Sequence, residues 1–462
     1  MEKFDLVVVG GGPGGYVAAI RASQLGLKTA VVEKEHLGGI CLNWGCIPTK
    51  ALLKSGELLE KIQHASEFGI NVEKISVDIE KIVKRSRDVS SKLVGGIHAL
   101  LKKNKVTVFE GVAKIINPKL VSIECINKNF SLVTKNIIIA TGARARTLDG
   151  FEVNDKNIWS YREALVPKSI PKSIIIIGSG AIGIEFASFY NSIGAKVTVL
   201  EVASRILPSE DEEISNLAKK NFTKKGITFY TGVDIKSQIS ENNELLVNFI
   251  CSSEEVSLKT EVLLIAIGVV ANTNNLGIEN TAIKLDNGHI AINDFAQTAE
   301  PNIYAIGDVA QPPWLAHKAS HEGVMAVEHI AGKNPCKMNK LNIPNCTYSS
   351  PQIASLGLTE EAAIHLGYKL KVGRFPFYAN GKALILGDGE GLIKTIFNIE
   401  NGELLGAHMI GSDVTEIIHS YVVAKSMEGT ELDLMETIFA HPTLSEMLHE
   451  SVLQAYGKAI HI

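Results

Sequence analysis

The sequence predicts an α/β fold with two Rossmann-like domains and a C-terminal α+β domain. The first observation behind this prediction is a unit of strand, G-x-G-x-x-G turn, helix and strand at residues 5–33, which ends in a glutamate. The second is a repeat of the same unit at residues 173–201. The third is a change near Asn345, after which short strands alternate with short helices, as in an antiparallel α+β domain.

Length and composition are those of a globular protein. The 462 residues are enough for roughly two to four domains, and 45% of them are hydrophobic and 21% charged. The net charge of −4 gives no sign of a nucleic-acid or membrane surface, and no apolar run approaches the ~18 residues of a spanning helix. The chain passes directly into a strand at Leu6, so we expect no signal peptide. Six cysteines in a chain of this size do not make a disulfide scaffold, so we expect a reducing location, the cytoplasm or a similar matrix, with one catalytic disulfide as the exception.

The first βαβ unit has each part that a dinucleotide-binding site needs. Its predicted elements are strand Asp5–Val9, helix Tyr16–Leu25 and strand Lys28–Val32. Gly10 allows the tight turn, Gly12 lets the backbone approach a pyrophosphate, and Gly15 permits close packing of helix on strand. The free N–H groups at the helix N-terminus attract phosphate, and the acid that closes the second strand can accept from ribose hydroxyls. The predicted binding residues are therefore Gly10, Gly12, Pro13, Gly14, Gly15 and Glu33.

The second βαβ unit predicts a second dinucleotide site. Strand Ile174–Ile177, helix Ile184–Ile193 and strand Lys196–Leu200 surround another G-x-G-x-x-G turn. An acid closes the second strand here too, and it would repel the 2′-phosphate of NADP, so the pattern favours NAD. The nearest base that follows is Arg205. The predicted binding residues are Gly178, Gly180, Ile182, Gly183 and Glu201.

A cysteine pair follows the first βαβ unit. Cys41 and Cys46 are separated by four residues, with glycines before each of them and Pro48 and Lys50 after them. A redox-active dithiol beside a dinucleotide suggests that electrons pass between sulfur and a cofactor. The alternatives are two buried thiols or half of a metal site. A metal site would need two more ligands at a recognisable spacing, and the sequence has no second cysteine pair, so we predict no metal.

Further elements follow from periodicity and apolar runs. In the first segment we predict helices Ala51–Phe68 and Ile79–Asn104, strands Val106–Phe109, Leu120–Glu124 and Ser131–Thr134, and a strand from Asn136 that ends at Thr141-Gly142. In the middle we predict helices Ile214–Lys225 and Trp314–Ile330 and strands Ile227–Tyr230, Leu245–Phe249, Val262–Ala266 and Ile303–Asp308. In the C-terminal domain we predict strands Cys346–Leu356, Tyr368–Phe377, Gly391–Asn398 and Leu404–Ile410 and helices Thr359–Leu366 and Asp413–Met427, with Asp413 and Glu416 as an Asp-x-x-Glu helix start.

Five motifs occur together along the chain. They are Gly39-x-Cys41-x4-Cys46-x-Pro48-x-Lys50, Ala140-Thr141-Gly142, Gly307-Asp308, Leu315-Ala316-His317-Lys318 and His441-Pro442-Thr443-x-x-Glu446. With these motifs the chain resembles the pyridine nucleotide-disulfide oxidoreductases, a family of disulfide-reducing flavoproteins, over essentially its whole length. Within that family it is similar to the enzymes that oxidise dihydrolipoyl groups. The resemblance implies FAD at the first site, NAD at the second, a C-terminal interface domain and a homodimer.

The resemblance also implies roles for individual residues. Cys41 would be the interchange thiol that meets the substrate, and Cys46 the thiol nearer the flavin, where a helix start would help to stabilise a thiolate. Lys50 would lie beside the flavin and pair with Glu185. His441 would be the acid–base catalyst, held by Glu446. The remaining cofactor contacts would be Thr141, Gly142, Asp308 and the Ala316 backbone for FAD, and Gly268 for NAD.

The implied domains are 1–148 and 271–344 for FAD, 149–270 for NAD, and 345–462 for the interface. Trp44 and Val269 depart from the residues usual in the family, and so do Ala145 and Trp314. The implied substrates are lipoyl domains of 2-oxo-acid dehydrogenase or glycine-cleavage complexes. The alternatives are another NAD(P)H-dependent disulfide reductase of the family or a non-catalytic FAD-bound scaffold subunit.

Overall fold

The computed structural model describes residues 2–126, 128–154, 156–241 and 244–462. These residues form two compact units. The first contains the chain up to Leu52, Glu80–Arg146 and Val269–Met338, and the second contains Leu53–Ile79, Thr147–Gly268 and Asn339–Ile462. No helix among the described residues has both the length and the apolar composition needed to cross a bilayer.

The chain up to residue 146 supplies most of the first unit. Its strands are β1 (Glu2–Val9), β2 (Thr29–Glu33), β3 (Thr107–Glu110), β4 (Val112–Asn117), β5 (Leu120–Glu124), β6 (Phe130–Ile139) and β7 (Ala143–Ala145). Its helices are α1 (Pro13–Gln24), α2 (Gly39–Trp44), α3 (Cys46–Gln63) and α4 (Ile79–Lys103), with a 3-10 helix at Ala65–Phe68. The boundary between the two units falls within α3, after Leu52.

Two predictions in this segment were wrong in detail. The strands predicted at Ser131–Thr134 and from Asn136 are one strand, β6. Residues 130–133 of β6 pair antiparallel with β5, and residues 132–139 pair parallel with β1. Lys135 forms an ion pair with Asp5 at 2.8 Å. Helix α3 begins at Cys46 instead of Ala51. Pro48 does not prevent this, because a proline is tolerated in the first turn of a helix, where its missing N–H is not needed.

Residues 147–268 form part of the second unit. Their strands are β8 (Ile158–Trp159), β9 (Ser173–Ile177), β10 (Lys196–Glu201), β11 (Thr228–Thr231), β12 (Asp234–Glu241), β13 (Glu244–Cys251), β14 (Glu254–Thr260) and β15 (Val262–Ile265), and their helices are α5 (Tyr161–Ala164), α6 (Ala181–Ser192) and α7 (Glu212–Lys224). A parallel sheet has the order β11-β10-β9-β15-β8. An antiparallel sheet has the order β12-β13-β14, of which the sequence predicted only the central, apolar strand.

Residues 269–338 complete the first unit. They contain β16 (Val269–Ala271), β17 (Leu285–Asp286), β18 (His289–Ile290), β19 (Ile303–Ala305), α8 (Ala316–Ile330) and 3-10 helices at Ile278–Asn280 and Gly307–Val309. The main sheet has the order β3-β2-β1-β6-β5-β4, and β19 also pairs with β6. The strand predicted to reach Asp308 ends at Ala305, because the chain turns into the 3-10 helix at Gly307, whose φ is +72°.

The C-terminal part of the second unit is an antiparallel sheet with helices, as predicted. Its strands are β20 (Asn345–Thr347), β21 (Gln352–Gly357), β22 (Leu370–Pro376), β23 (Leu392–Asn398) and β24 (Leu404–Gly411), in the order β20-β21-β24-β23-β22. Its helices are α9 (Glu360–His365), α10 (Gly381–Leu386), α11 (Val414–Ile417), α12 (His419–Ser426), α13 (Glu431–Glu436) and α14 (Glu446–Ala455), with 3-10 helices at Lys340–Asn342 and Phe377–Ala379.

Two details of this domain differ from the prediction. The strand predicted at Cys346–Leu356 is the two antiparallel strands β20 and β21. The helix predicted at Asp413–Met427 is the two short helices α11 and α12. Asp413 does not cap α11 with its side chain, because its backbone is left-handed, with φ of +56°, whereas a capping residue needs an extended backbone.

The same close contact between helix and strand occurs inside each βαβ unit, which supports the Rossmann-like prediction. A Cβ atom on Gly15 would lie 1.9 Å from the Gly10 carbonyl oxygen, and a Cβ on Gly183 would lie 2.0 Å from that of Gly178. Such separations are far below van der Waals contact, so each helix can approach its strand only because the last glycine of the turn has no side chain.

This contact predicts that Gly183→Ala destabilises the protein. The added methyl group would force the start of α6 away from β9, at a cost of about 2 kcal/mol, typical of overpacking. Scanning calorimetry should therefore show a lower melting temperature. Gly95→Ala is the matched control, because a Cβ at Gly95, inside α4, meets no atom within 4 Å. It should keep or slightly raise the melting temperature. Equal melting temperatures for Gly183→Ala and wild type would contradict the packing argument.

Candidate active site

The first glycine turn leaves open space where a pyrophosphate can approach. A Cβ on Gly12 would meet its nearest atom at 3.9 Å, whereas Gly10 and Gly15 are packed against backbone. Gly12 is the N-cap of α1 and provides no side-chain cap, and the helix starts with Pro13. The first-turn N–H groups of Gly14 and Gly15 have no partner within the helix, as at every helix start. This arrangement fits a phosphate group.

Glu33 is hydrogen-bonded to the first glycine turn, beside which it was predicted to bind a ribose. Its Oε2 accepts from the Gly11 N–H at 2.7 Å and its Oε1 accepts from the Glu35 N–H at 2.8 Å. The carboxylate therefore fixes the glycine turn relative to the end of β2. A carboxylate oxygen can accept more than one hydrogen bond, so a ribose contact stays a prediction. These hydrogen bonds of Glu33 to the backbone were not predicted from the sequence. The only sequence signal for them was the position of the acid at the end of the strand.

The second turn repeats this geometry. A Cβ on Gly180 would meet no atom within 4 Å, and Ile182, at the start of α6, is 39% exposed. Glu201 Oε2 accepts from the backbone N–H of Ser179 at 2.8 Å and from its hydroxyl at 2.6 Å, and Oε1 accepts from the Ala203 N–H at 2.8 Å. The second turn therefore fits a dinucleotide as well as the first does.

Two other residues bear on the nucleotide at this second turn. Arg205, the base nearest to it in sequence, forms an ion pair with Glu361 at 2.8 Å. It is thus already engaged by a carboxylate and is poorly suited to bind a 2′-phosphate. Gly268 has a left-handed φ of +96° and open space around it. Its NAD contact stays a prediction.

The two cysteines are thiols held close together. Cys41 lies in α2, Cys46 is the first residue of α3, and Gly45 separates the two helices. The pKa of Cys41 is raised, chiefly by its hydrogen bond with Cys46 and then by burial, whereas Lys50 acts to lower it. Cys46 is the more exposed thiol, and its position at a helix start favours a thiolate. The structure therefore brings Cys41, Cys46 and Lys50 together.

The dithiol segment is bound directly to the first glycine turn. The Gly38 N–H donates to the Gly11 carbonyl at 2.8 Å, and a Cβ on Gly39 would lie 2.8 Å from the Cα of Gly12. The Asn43 side chain closes the segment on itself by donating to the Leu37 carbonyl at 3.0 Å and the Gly39 carbonyl at 2.9 Å. These contacts place the thiols at the same turn that fits a dinucleotide.

Asp308 lies in the 3-10 helix Gly307–Val309 and is near enough to Cys41 to raise the pKa of its thiol. Burial raises the pKa of its carboxyl group, while Lys318 lowers it, and the carboxylate has no hydrogen-bond partner among the described residues. Such a group fits a ligand that supplies hydroxyl donors. The buried ion pair of Lys318 with Glu322, at 2.9 Å, lies behind it, and the Gly307 N–H donates to Glu322 at 2.8 Å.

The roles of Lys318 and Glu322 as supports of the Gly307-Asp308 turn were not foreseen from the sequence. A buried charge pair was the only possible signal, and it cannot be distinguished from an ordinary surface i, i+4 pair without the fold. Ala316, a predicted backbone contact, is the first residue of α8, so its N–H is one of the helix's free donors.

The Thr141-Gly142 turn is held by a single asparagine. The Thr141 hydroxyl donates to the Asn272 carbonyl at 2.8 Å, the Asn272 side chain donates to the Thr141 carbonyl at 3.0 Å, and the Asn272 N–H donates to the Gly142 carbonyl at 2.9 Å. These bonds continue the antiparallel pairing of β7 with β16, in which Val269 faces Ala145. The two unusual residues are therefore strand partners at the start of this ribbon.

His441 and Glu446 form the predicted pair in the second unit. His441 Nδ1 lies 2.9 Å from Glu446 Oε1, and Glu446 Oε2 accepts from the Thr443 N–H at 2.8 Å. Burial raises the pKa of the Glu446 carboxyl group, but these hydrogen bonds outweigh it and the pKa is lowered. The imidazole is 80% exposed, so its Nε2 is available to a reactant.

Glu185, predicted to pair with Lys50, lies on α6 and is 4% exposed. Its Oε1 accepts from the Tyr348 N–H at 2.9 Å. The ion pair with Lys50 stays a prediction. No cluster of three or more metal-ligating side chains occurs in the part of the chain that the structure describes.

Comparison with known proteins identifies the family. Residues 4–323 match the pyridine nucleotide-disulphide oxidoreductase family model, and residues 343–452 match the dimerisation domain of that family. A solved HOCl-induced flavoprotein disulfide reductase from Escherichia coli is 26% identical, with a TM-score of 0.88 over 98% of this chain and 99% of the other. LpdA from Mycobacterium tuberculosis, at 23% identity and a TM-score of 0.91 over 98% and 99% of the two chains, shares the fold.

Full-length relatives are more similar in sequence. The dihydrolipoyl dehydrogenase of Zymomonas mobilis is 50% identical over 100% of this chain and 99% of its own length. Those of Rhizobium etli and Bacillus subtilis are 48% and 46% identical, each over 99% of both chains. These matches confirm the resemblance inferred from the motifs, and the dimerisation domain supports a homodimer. The chain belongs to the pyridine nucleotide-disulphide oxidoreductase family.

Proposed function

We propose that the protein is a dihydrolipoyl dehydrogenase, which oxidises protein-bound dihydrolipoyl groups and reduces NAD⁺. The observation that carries this proposal is the pair of adjacent thiols, Cys41 and Cys46, bound to a glycine turn that fits a dinucleotide. The dihydrolipoyl dehydrogenases that match along the full length support the same substrate. Enzymes of this family use FAD and NAD(H), and the chain uses the same two cofactors.

The two cofactors and the subunit interface are assigned to the segments predicted from the sequence. We assign FAD to residues 1–148 and 271–344, NAD to residues 149–270, and the subunit interface to residues 345–462. Bound FAD would be held by the first glycine turn, Thr141-Gly142, Asp308 and the start of α8, and it supplies a two-electron relay between the dithiol and NAD. The open space at Gly12 and Gly180 supports one dinucleotide at each turn.

The protein's own groups carry out the thiol chemistry. A substrate thiol has an ordinary pKa of about 8.5, so a base is needed near neutral pH. His441 Nε2 takes that proton, while Glu446 holds the Nδ1–H and so fixes the tautomer of the ring. The resulting thiolate attacks Cys41 Sγ of the oxidised pair, the Cys41–Cys46 bond breaks, and Cys46 leaves as a thiolate at the start of α3.

The second substrate thiol completes the exchange. It displaces Cys41 from the mixed disulfide, so the dihydrolipoyl group loses two electrons and two protons and the cysteine pair gains the two electrons. We propose lipoyl domains of 2-oxo-acid dehydrogenase or glycine-cleavage complexes as the carriers of that group, and a cytoplasmic location. The alternative of a non-catalytic scaffold is disfavoured by the presence of both thiols and the His441–Glu446 pair.

The substrate assignment predicts a preference for a linked dithiol. Dihydrolipoamide should drive NAD⁺ reduction about a hundredfold faster than reduced glutathione at equal thiol concentration, because its second thiol attacks within the same molecule. NADH formation at equal enzyme concentration is the measurement. Cys125→Ser, which changes a thiol outside the pair, should behave like wild type. Turnover with glutathione or another thiol, but not with dihydrolipoamide, would indicate another disulfide reductase of the family.

The interface assignment predicts that each active site needs two chains. Cys41→Ala and His441→Ala homodimers should each lose about 10²–10⁴-fold in activity. After random subunit exchange, half of the dimers are mixed and each has one intact site, so about a quarter of wild-type activity should return. A mixture of Cys41→Ala with Cys46→Ala is the control, because both changes damage the same half of a site and no activity should return. If native mass spectrometry shows exchange and the first mixture stays inactive, the shared site is wrong.

A further inference from the structure

Trp44, the unusual residue between the two cysteines, lies under an arginine from another helix. The Arg87 guanidinium, on α4, lies 4.9 Å from the centre of the Trp44 ring. Its Nη1 donates to the carbonyl of Asn43 at 2.7 Å. Arg87 therefore contacts the two residues that connect the helix of Cys41 with Gly45 and Cys46. Nothing in the proposed mechanism uses this contact.

The Arg87 side chain is half-buried, and its charge has no matching acid among the described residues. Its Nε and Nη2 are inaccessible to solvent and have no hydrogen-bond partner among the described residues. No carboxylate in that part of the chain forms an ion pair with it, and burial lowers the pKa of the guanidinium. A desolvated cation without a counter-charge is costly, and an aromatic face and one carbonyl offset only part of that cost.

Opening the Cys41–Cys46 disulfide creates the missing negative charge. The oxidised pair is neutral, whereas the reduced pair can carry a thiolate. A half-buried cation beside the connecting residues lowers the free energy of the reduced, anionic form more than that of the neutral disulfide. The groups that shift the pKa of the Cys41 thiol are Cys46, Lys50 and Asp308, and Lys50 is the one cation among these three. Cys41 in turn raises the pKa of Tyr16.

We propose that Arg87, stacked on Trp44, is a positioning residue that raises the reduction potential of the Cys41–Cys46 pair. The inference rests on the proposed function, since it needs the pair to cycle. In each cycle the disulfide accepts two electrons and one proton from dihydrolipoamide, which closes to lipoamide, and the second proton passes to His441, so that one cysteine is left as a thiolate. Arg87 shifts this equilibrium toward the dithiol and so favours electron uptake from the substrate.

Helix α4 offers a matched control in Arg85. This residue is exposed, and its Nη1 donates to the Ala51 carbonyl at 3.1 Å, so it also ties α4 to a helix of the redox segment. It contacts neither Trp44 nor the residues between the cysteines. A purely structural link between α4 and α3 would make the two arginines equivalent, whereas the proposed charge effect belongs to Arg87 alone.

The test measures the dithiol–disulfide equilibrium of the FAD-loaded protein in lipoamide/dihydrolipoamide buffers, without NAD. Free thiols are alkylated, and trypsin releases residues 35–50, in which Cys41 and Cys46 are the only cysteines. Mass spectrometry then gives the fraction of that peptide with two alkyl groups. Arg87→Gln can keep the hydrogen bond to Asn43 but removes the charge, whereas Arg87→Lys keeps the charge.

We expect Arg87→Gln to shift the equilibrium about tenfold toward the disulfide, which is ~30 mV for a two-electron couple. Arg87→Lys should stay within about threefold of wild type, and Arg85→Gln should match wild type. An unchanged equilibrium in Arg87→Gln, or equal shifts in Arg87→Gln and Arg85→Gln, would overturn the inference. If Arg87→Gln does not fold, the test rests on Arg87→Lys, which keeps the charge. A tenfold shift of the dithiol–disulfide equilibrium in Arg87→Lys would also overturn the inference. A wild-type peptide that never changes its alkylation would instead overturn the proposed function.

Discussion

The hydrogen bond from the Gly38 N–H to the Gly11 carbonyl is the contact on which the active site depends. It joins the dithiol segment to the glycine turn, and the approach of Gly39 to the Gly12 Cα leaves no room for a side chain at Gly39. Because both partners are backbone groups, the distance from the thiols to the turn does not depend on any flexible side chain. Electron transfer between a dithiol and a bound cofactor requires such fixed spacing.

The two glycine turns have the same hydrogen bond between the turn and the acid that closes the second strand. In each, the acid at the end of the second strand accepts from the N–H of the second turn residue, at 2.7 Å for Glu33 and 2.8 Å for Glu201. The acid therefore shapes the turn, and its contact with a ribose stays a prediction. Only the first turn also has the dithiol segment bound to it. The repeat thus separates into a site where electrons leave sulfur and a site suited to the nucleotide that carries them away.

Much of this was predictable from the sequence, because its signals are local. The glycine spacing, the closing acids and the apolar strands fixed both βαβ units to within a few residues. The His441–Glu446 pair was predictable from its motif. Contacts between residues far apart in sequence were not: the Arg87–Trp44 stack joins residues from different helices, and the Lys318–Glu322 pair looks like an ordinary surface pair until its burial is known. Boundaries failed where backbone geometry overrode residue type, as at Asp413 with its left-handed φ.

The central claim is that substrate electrons pass through Cys41 and Cys46, and the most direct test compares two electron routes in one variant. Cys46→Ser of the FAD-loaded protein should lose dihydrolipoamide-dependent NAD⁺ reduction by about 10³-fold or more, because the serine hydroxyl cannot form the disulfide. It should keep NADH oxidation by ferricyanide, a route that needs FAD but no thiol. Cys125→Ser should keep both activities. Cys46→Ser with undiminished dihydrolipoamide oxidation would contradict the account, because the electrons would then bypass the cysteine pair.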